Sequence, residues 1–347
     1  MIHGGNVYEL NLPLDEVIDL SASTNPLILE YLSEIKKLVL SCTQEIIFYP
    51  EPRAEGLLKE ISEYYQVPLE GIILSNGSVE LIYALIVAIS PKRVCILEPS
   101  FVEYSIACRN LKVKDVKPLF ALDPDEWLSL LEKELQKQRY DLVFICNPNN
   151  PTAWILEREK ILKLVTQFED TTFVIDEAFI EFKEGESLLK EAFFRKNLLV
   201  LRSFTKFYGL AGLRLGYGVG NFNLINELKK VIPLWSVNTF AQRLGSYILK
   251  NEEFKKRSLE FFSKERLFVQ TRFSELGVEF FPSQTNFILF YLKDGKLFWK
   301  HLYEKGILIR SCENFYGLSS DYLRISLKTR KENQRFLEEL ENWLRDF

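Results

Sequence analysis

From about Gly71 to Gly220 the chain alternates short apolar runs with longer stretches of helical periodicity. Ile72-Ile73-Leu74, Val94 to Leu97, Leu142 to Cys146, Phe173 to Ile175 and Leu198 to Leu201 are bounded by Pro, Asn, Asp, Ser or Gly, and this spacing predicts strands. Nearly every position within a run is apolar, not every second one. That pattern predicts strands buried on both faces, in a mostly parallel sheet covered by helices. Ligands of such α/β sheets sit beyond the carboxyl ends of the strands. Polar residues punctuate those ends here: Glu98-Pro99, Asn147-Pro148, Asp176-Glu177 and Arg202-Ser203. One crevice is expected to collect them all.

After Pro233 the pattern changes. Ser236 to Glu275 reads as one long, charged, amphipathic helical stretch, with Ser236 or Asn238 as its cap. Strand-like segments follow at Thr285 to Leu292, Ile307 to Arg310 and Tyr322 to Leu327, then a closing helix from about Lys331 to Leu344. This predicts a second, smaller α+β domain. The expected division is an arm plus part of the small domain over residues 1–40, a large domain over 41–235, and an interdomain helix with the small carboxy-terminal domain over 236–347.

Composition narrows the function. The chain has 347 residues, 47% of them hydrophobic and 27% charged, enough for two packed domains of a soluble protein. A net charge of −4 without any strongly basic stretch argues against nucleic acid as a partner. No apolar run approaches the ~18 residues of a membrane span. The start, Met1-Ile2-His3-Gly4-Gly5-Asn6, has no basic flank followed by an apolar stretch, so no signal peptide and a cytoplasmic address are expected. The five cysteines (Cys42, Cys95, Cys108, Cys146, Cys312) are scattered and read as reduced packing residues. His3 and His301 are the only histidines, which excludes a multi-histidine zinc site and argues against a Ser-His-Asp hydrolase. No metal is expected, and the chemistry must rest on other groups or on a cofactor.

Candidate groups cluster at the strand ends. Asn76-Gly77-Ser78 follows a strand and opens a helical pattern; glycine and free amides at a helix start suit a phosphate, although Ser78 alone also reads as a plain cap. Asp176 ends an apolar run, where a carboxylate can hold a proton on a ring nitrogen or simply cap the next turn. Lys206 follows Ser203 and Thr205 and precedes Arg214 by eight residues. A lysine kept partly neutral forms Schiff bases, and hydroxyls with an arginine suit a cofactor phosphate. A solvated surface lysine would leave that clustering unexplained. Asn147 to Thr152 and Tyr49-Pro50-Glu51-Pro52 read on their own as turns.

Together these stretches resemble the fold-type I pyridoxal-phosphate (PLP) enzymes, in the class II aminotransferase branch. The likeness runs from His3-Gly4-Gly5-Asn6 through Asp19-Leu20-Ser21, Asn25-Pro26 and Glu98 to Tyr104. It continues through Asn147 to Thr152, Arg202 to Tyr217, Pro233 to Asn238, Gly306 to Arg310 with Cys312 and Asn314-Phe315, and Arg324 to Thr329. It implies a large domain with a mostly parallel seven-stranded sheet, plus the smaller α+β domain. It also implies pyridoxal 5′-phosphate held covalently by Lys206. Asp176 would face the ring nitrogen and Asn150 the phenolic oxygen. Gly77, Ser78, Ser203, Thr205 and Arg214 would cradle the phosphate. Tyr49 would reach that phosphate from a neighbouring subunit, hence a homodimer with shared sites. Arg324 matches the arginine that grips a substrate carboxylate; Arg310 and the arm bearing His3, Gly5 and Asn6 match elements near a substrate phosphate, hence a small phosphorylated amino-acid substrate. Within the branch the likeness is closer to the threonine-phosphate decarboxylases of cobalamin biosynthesis than to histidinol-phosphate aminotransferases. It therefore implies decarboxylation of L-threonine O-3-phosphate, with transamination of histidinol phosphate or a related amino acid against 2-oxoglutarate as the alternative. Two departures, Ala153 for a glycine and Ala211 for a proline, read as packing changes. Phe179 for a tyrosine removes a hydrogen bond to the cofactor and favours decarboxylation.

Overall fold

The computed structural model describes residues 3–10 and 12–346. Seven strands form one sheet: β1 (Ile72–Asn76), β2 (Arg93–Glu98), β3 (Asp115–Phe120), β4 (Leu142–Cys146), β5 (Thr172–Asp176), β6 (Leu198–Ser203) and β7 (Leu215–Gly220). Their order is β1-β7-β6-β5-β4-β2-β3. β7 is antiparallel to both its neighbours and every other pairing is parallel. The α/β class and the mostly parallel seven-stranded sheet are thus as expected.

The reason lies in the continuous apolar runs. Along β4 and β5, Val143, Ile145, Phe173 and Ile175 pack into one core with Ile61, Trp127 and Ile161. The alternate residues Leu142, Phe144 and Val174 pack on the other face with Leu81, Leu85 and Tyr104. Both faces are dry, so both sets of positions must be apolar. Two strands escaped the apolar-run criterion. β3 lies at the sheet edge, where alternation with polar residues and Pro118 are tolerated. β7 is rich in glycine, and a Cβ on Gly216 would stand 2.4 Å from the amide nitrogen of Ser78. Glycine there lets the strand press against the start of the helix Ser78–Ile89.

A second sheet holds β8 (Glu279–Phe280), β9 (Phe287–Tyr291), β10 (Arg310–Ser311) and β11 (Tyr322–Ser326) in the order β10-β11-β9-β8, all antiparallel. Its apolar face packs Ile288, Phe290, Leu323 and Ile325 against Phe262 and Phe273 of the helix Glu252–Glu275 and Phe336 of the helix Arg330–Asp346. The run expected as one strand from Ile307 to Arg310 serves two partners. Ile307–Leu308 pairs in parallel with Ile18–Asp19, and Arg310–Ser311 belongs to the second sheet. The single long helix expected over Ser236 to Glu275 is also two. Asn238 accepts the Ala241 amide (2.9 Å) and starts the helix Thr239–Leu249; Asn251 accepts the Phe254 amide (2.9 Å) and starts the next. An asparagine that satisfies an amide from outside the helix ends one segment as it begins another.

The crevice does not collect every polar strand end. Residues alternate across a strand, so Asp176 and Ser203 face one way while Glu177 and Arg202 face the other. Arg202 is 0% exposed. It donates from Nε to Glu177 (2.8 Å) and from both terminal nitrogens to Glu184 (3.1 and 2.8 Å), over the ring of Tyr65 at 5.4 Å. Glu98 is likewise turned inward, accepting the Ser100 amide at 2.6 Å.

Glu181 joins this cluster but approaches Arg202 only to 3.7 Å. Burial pushes its carboxyl up to about 8, against the pull of Arg202 and with repulsion from Glu184. The native state therefore keeps a proton that the unfolded chain releases near the ordinary glutamate value. This contribution to stability is complete at low pH and is lost as pH rises through about 8. Glu181→Gln should accordingly lose less unfolding free energy than the parent between about pH 5 and about pH 9, read by urea denaturation. Equal losses in the two proteins would contradict this account.

Candidate active site

A cavity of about 460 Å³ opens at the carboxyl ends of β4, β5 and β6, with Cys146, Asp176 and Ser203 on its wall. Arg310 and Arg324 of the second sheet close the other side. Asp176 is buried. One oxygen accepts the Tyr104 hydroxyl at 2.8 Å and the other the Ala178 amide at 3.1 Å. Tyr104 is itself stacked on Phe144, ring centroids 4.8 Å apart. Burial pushes the Asp176 carboxyl up from its ordinary value, opposed by those two hydrogen bonds and by Lys206.

Lys206 lies just past β6 on the cavity wall, its Nζ 6.0 Å from the ring centre of Phe179. Lost hydration, then the positive charges of Arg324, Lys328 and Arg214, bring its amine down to about 8. A lysine so placed is a nucleophile near neutral pH.

The residues expected to cradle a phosphate meet at one corner of the cavity. Ser78, Ser203, Thr205 and Arg214 all line the cavity. Gly77, with φ +78°, is the cap residue of the helix Ser78–Ile89 and no side chain caps that helix, so Ser78 is not the plain cap it might have been. A Cβ on Gly77 would lie 2.6 Å from Arg214 Nη2. The helix start, Ser78 and Val79, therefore presents uncapped amides and a guanidinium to whatever anion occupies this corner.

Asn150 also lines the cavity and accepts a hydrogen bond from Arg324 Nη1. Arg324 also donates to the Ser21 carbonyl at 2.9 Å, and its buried Nε has no hydrogen-bond partner among the described residues. Burial brings its guanidinium down to about 10. Arg310 stands directly opposite Arg324 in the β10–β11 register and donates to Asn314 at 2.6 Å. The two are 4% and 6% exposed.

Other expected residues are placed differently. His3 and Gly4 line the cavity, whereas Gly5 and Asn6 do not. The Gly5 amide is spent on Ser21 Oγ at 2.7 Å and the Asn6 carbonyl on the Glu9 amide at 3.1 Å. Tyr49 is 79% exposed, stacked on Trp235 and outside the cavity. Lys328, two residues past β11, donates to the carbonyl and hydroxyl of Thr24, both at 2.9 Å. Ala153 has φ +60°, so its difference from glycine concerns backbone conformation and not packing alone. Sequence reasoning gave no role to Tyr104 or Glu103, whose partners Asp176 and His3 are 72 and 100 positions away.

Residues 15–340 match the family model for aminotransferases of class I and II. The chain belongs to that family. A histidinol-phosphate aminotransferase of Thermoanaerobacter pseudethanolicus is 33% identical over 351 residues, covering 99% of this chain and 97% of that protein. The adenosylcobalamin biosynthesis bifunctional protein CobDQ of Leptospira interrogans is 32% identical over 359 residues; 98% of this chain is covered, and it spans only 41% of that protein. The crystal structure of L-threonine-O-3-phosphate decarboxylase from Porphyromonas gingivalis superposes with a TM-score of 0.81 at 30% identity, over 90% of this chain and 95% of that one. Further relatives of comparable similarity are named histidinol-phosphate aminotransferases, so the names lean towards the aminotransferase alternative and away from the decarboxylase expected first.

The chain is a PLP-dependent enzyme, and the site fits that cofactor. Asp176 is a buried carboxylate whose hydrogen bonds come only from neutral donors, leaving it suited to a cationic ring N–H. Lys206 would bind the aldehyde, Asn150 would lie beside the ring, and the cradle at Ser78 would take the phosphate. Modification of Lys206 in the apoprotein by an amine-directed reagent should rise with pH around a midpoint near the value of about 8 given above. Arg324→Gln should move that midpoint upward, because one repelling charge is removed. A midpoint unmoved by the substitution would discount that electrostatic cause. Gly77→Ala should weaken PLP binding by about tenfold, since both the backbone conformation and Arg214 resist a Cβ; equilibrium dialysis reads this directly.

Proposed function

We propose that the chain is a PLP-dependent decarboxylase of a small phosphorylated amino acid, with L-threonine O-3-phosphate giving (R)-1-aminopropan-2-yl phosphate and CO₂. The observation that carries this reading is the pair of buried arginines, Arg310 and Arg324, held directly across two strands at the cavity wall. Like charges so placed destabilise a sheet. They are accounted for by a ligand that brings two anionic groups to one spot. A phosphorylated amino acid does so, with its carboxylate on Arg324, whose Nε has no partner among the described residues, and its phosphate towards Arg310.

When bound, PLP accepts the electron pair of whichever substrate Cα bond stands perpendicular to its ring. The protein's own residues settle which bond that is and where protons go. Asp176, dry and fixed by Tyr104, keeps a proton on the ring nitrogen. Arg324 and Arg310 grip the two ends of the substrate and thereby set its rotation about Cα. Lys206, brought down to about 8, would hold the aldehyde of the cofactor until the substrate amine takes its place, and its amine would be at hand to supply the proton that Cα needs once CO₂ has left. Phe179 offers no hydroxyl to this end of the cavity and packs on Phe287 at 4.8 Å. The similarity to CobDQ and to the decarboxylase structure supports the same reading.

The second reading, an aminotransferase for histidinol phosphate or a related amino acid with 2-oxoglutarate, draws on the names of most relatives. It shares every residue role except the orientation of the substrate. A homodimer and a cytoplasmic site belong to either reading. The exposed Ile46, Ile47, Phe48 and Tyr49, beside the exposed Leu234 and Trp235, form an apolar surface suited to a second copy, from which Tyr49 would reach the partner's phosphate cradle.

Holoenzyme given L-threonine O-3-phosphate should release one CO₂ per substrate without any 2-oxo acid. Turnover of histidinol phosphate that depends on 2-oxoglutarate and yields no CO₂ would replace this reading by the second. Arg310→Met should raise KM for the phosphorylated substrate by at least about tenfold, the scale of a lost charge-assisted pair.

A further inference from the structure

We propose that Glu103 is a positioning residue whose hydrogen bond with His3 latches the amino-terminal strap, residues 3–6, over the mouth of the cavity and shields a carboxylate that an anionic substrate would otherwise meet there. The inference rests on reading the cavity as the site of a phosphorylated amino acid.

The strap is pinned at two points. His3 Nε2 lies 2.6 Å from Glu103 Oε1, and the imidazole leans on Phe101 with ring centroids 6.0 Å apart. Two residues on, the Gly5 amide donates to Ser21 Oγ at 2.7 Å, and that hydroxyl donates to Asp19 at 2.6 Å. Gly4 between them passes so close to Ser21 that a Cβ would stand 2.4 Å from its carbonyl oxygen, and Gly5 holds φ +88°. The strap therefore has one path, and glycine permits it.

Glu103 is built to hold its end. It is the first residue of the helix Glu103–Asn110, and its side chain is 14% exposed where that of His3 is 44%. Its second oxygen receives the Tyr83 hydroxyl at 3.5 Å, and Tyr83 in turn accepts from Asn110 at 3.2 Å. A carboxylate only accepts, so His3 Nε2 carries the proton of this bond.

The charge balance explains why a carboxylate is tolerated here. The wall carries Lys206, Arg214, Arg310 and Arg324, the cations an anionic substrate and cofactor need, against Asp176 and Glu103. Asp176 has a stated use. Glu103, if bare, would repel the incoming anion; with one oxygen taken up by the Nε2–H of His3 it is shielded. The strap also shares Ser21 with Arg324, whose Nη2 donates to the Ser21 carbonyl, so closing the strap and setting the carboxylate grip act on one residue.

The test uses holoenzyme of the parent, Glu103→Gln, His3→Ala and the double variant. In hydrogen exchange, either single change should speed exchange of the segment around Gly5 severalfold, and the double variant should add nothing further. With L-threonine O-phosphate as probe, His3→Ala should raise KM about fivefold, leave kcat nearly unchanged, and be partly rescued by adding Glu103→Gln, because the bare carboxylate is removed. Unchanged exchange in Glu103→Gln, or a double variant that binds no better than His3→Ala, overturns the latch. Inorganic phosphate as a competing anion gives the same ranking without turnover. If L-threonine O-phosphate is not the substrate, turnover is absent while the exchange pattern and the phosphate ranking persist, which separates failure of the substrate reading from failure of the latch.

Discussion

The proposed function depends on two ionisable groups being kept out of water beside neighbouring strands. On that reading Asp176 must be dry enough to hold a proton on a ring nitrogen, yet Tyr104 and the Ala178 amide must still hold it in place. Lys206 must lose enough hydration to be a nucleophile near neutral pH. Burial moves both away from their ordinary values, in the directions that make each useful. The sheet supplies that dryness. Its central strands are apolar on both faces, and the chemistry is confined to where they stop.

The second sheet contributes a different kind of constraint. Arg310 and Arg324 sit opposite each other against the ordinary preference for unlike pairs across strands. Their cost is met partly by neutral acceptors, Asn314, Asn150 and the Ser21 carbonyl, none of which carries a negative charge. Arg324 in particular spends two of its nitrogens on a side-chain amide and a carbonyl, and such neutral acceptors leave more of its charge for an anion that arrives from outside.

Much of this was legible before any coordinates. Runs such as Leu142 to Cys146 predict buried strands because both faces are covered, and Lys206 with Ser203, Thr205 and Arg214 is too dense a cluster for a surface loop. β3 and β7 were not legible, since an edge strand can alternate and a glycine-rich strand is used for close approach, not for burial. The break at Asn251 hid inside a continuous charged amphipathic pattern, because a capping asparagine looks like any other polar residue on a helix face. The arm was read as a unit of His3, Gly5 and Asn6, whereas its backbone path turns Gly4 inward and spends the amide of Gly5 on Ser21. Tyr104 and Glu103 lie in a stretch that carries the resemblance but gained no role from it, because their partners come from across the sheet and from the far end of the strap, and no local spacing encodes such meetings.

The strand ends separate two tasks by parity. Asp176 looks into the cavity and Glu177 away from it; Ser203 looks in and Arg202 away. Inserting or deleting a single residue within Thr172–Asp176 or Leu198–Ser203 would exchange these assignments, aiming Glu177 at the cofactor and leaving the guanidinium of Arg202 facing the phosphate corner with its three glutamates stranded. Those two short segments are therefore bound to their present length far more tightly than to their particular apolar side chains: an exchange among valine, isoleucine and leucine there keeps every side chain on its own face, whereas a change in count does not.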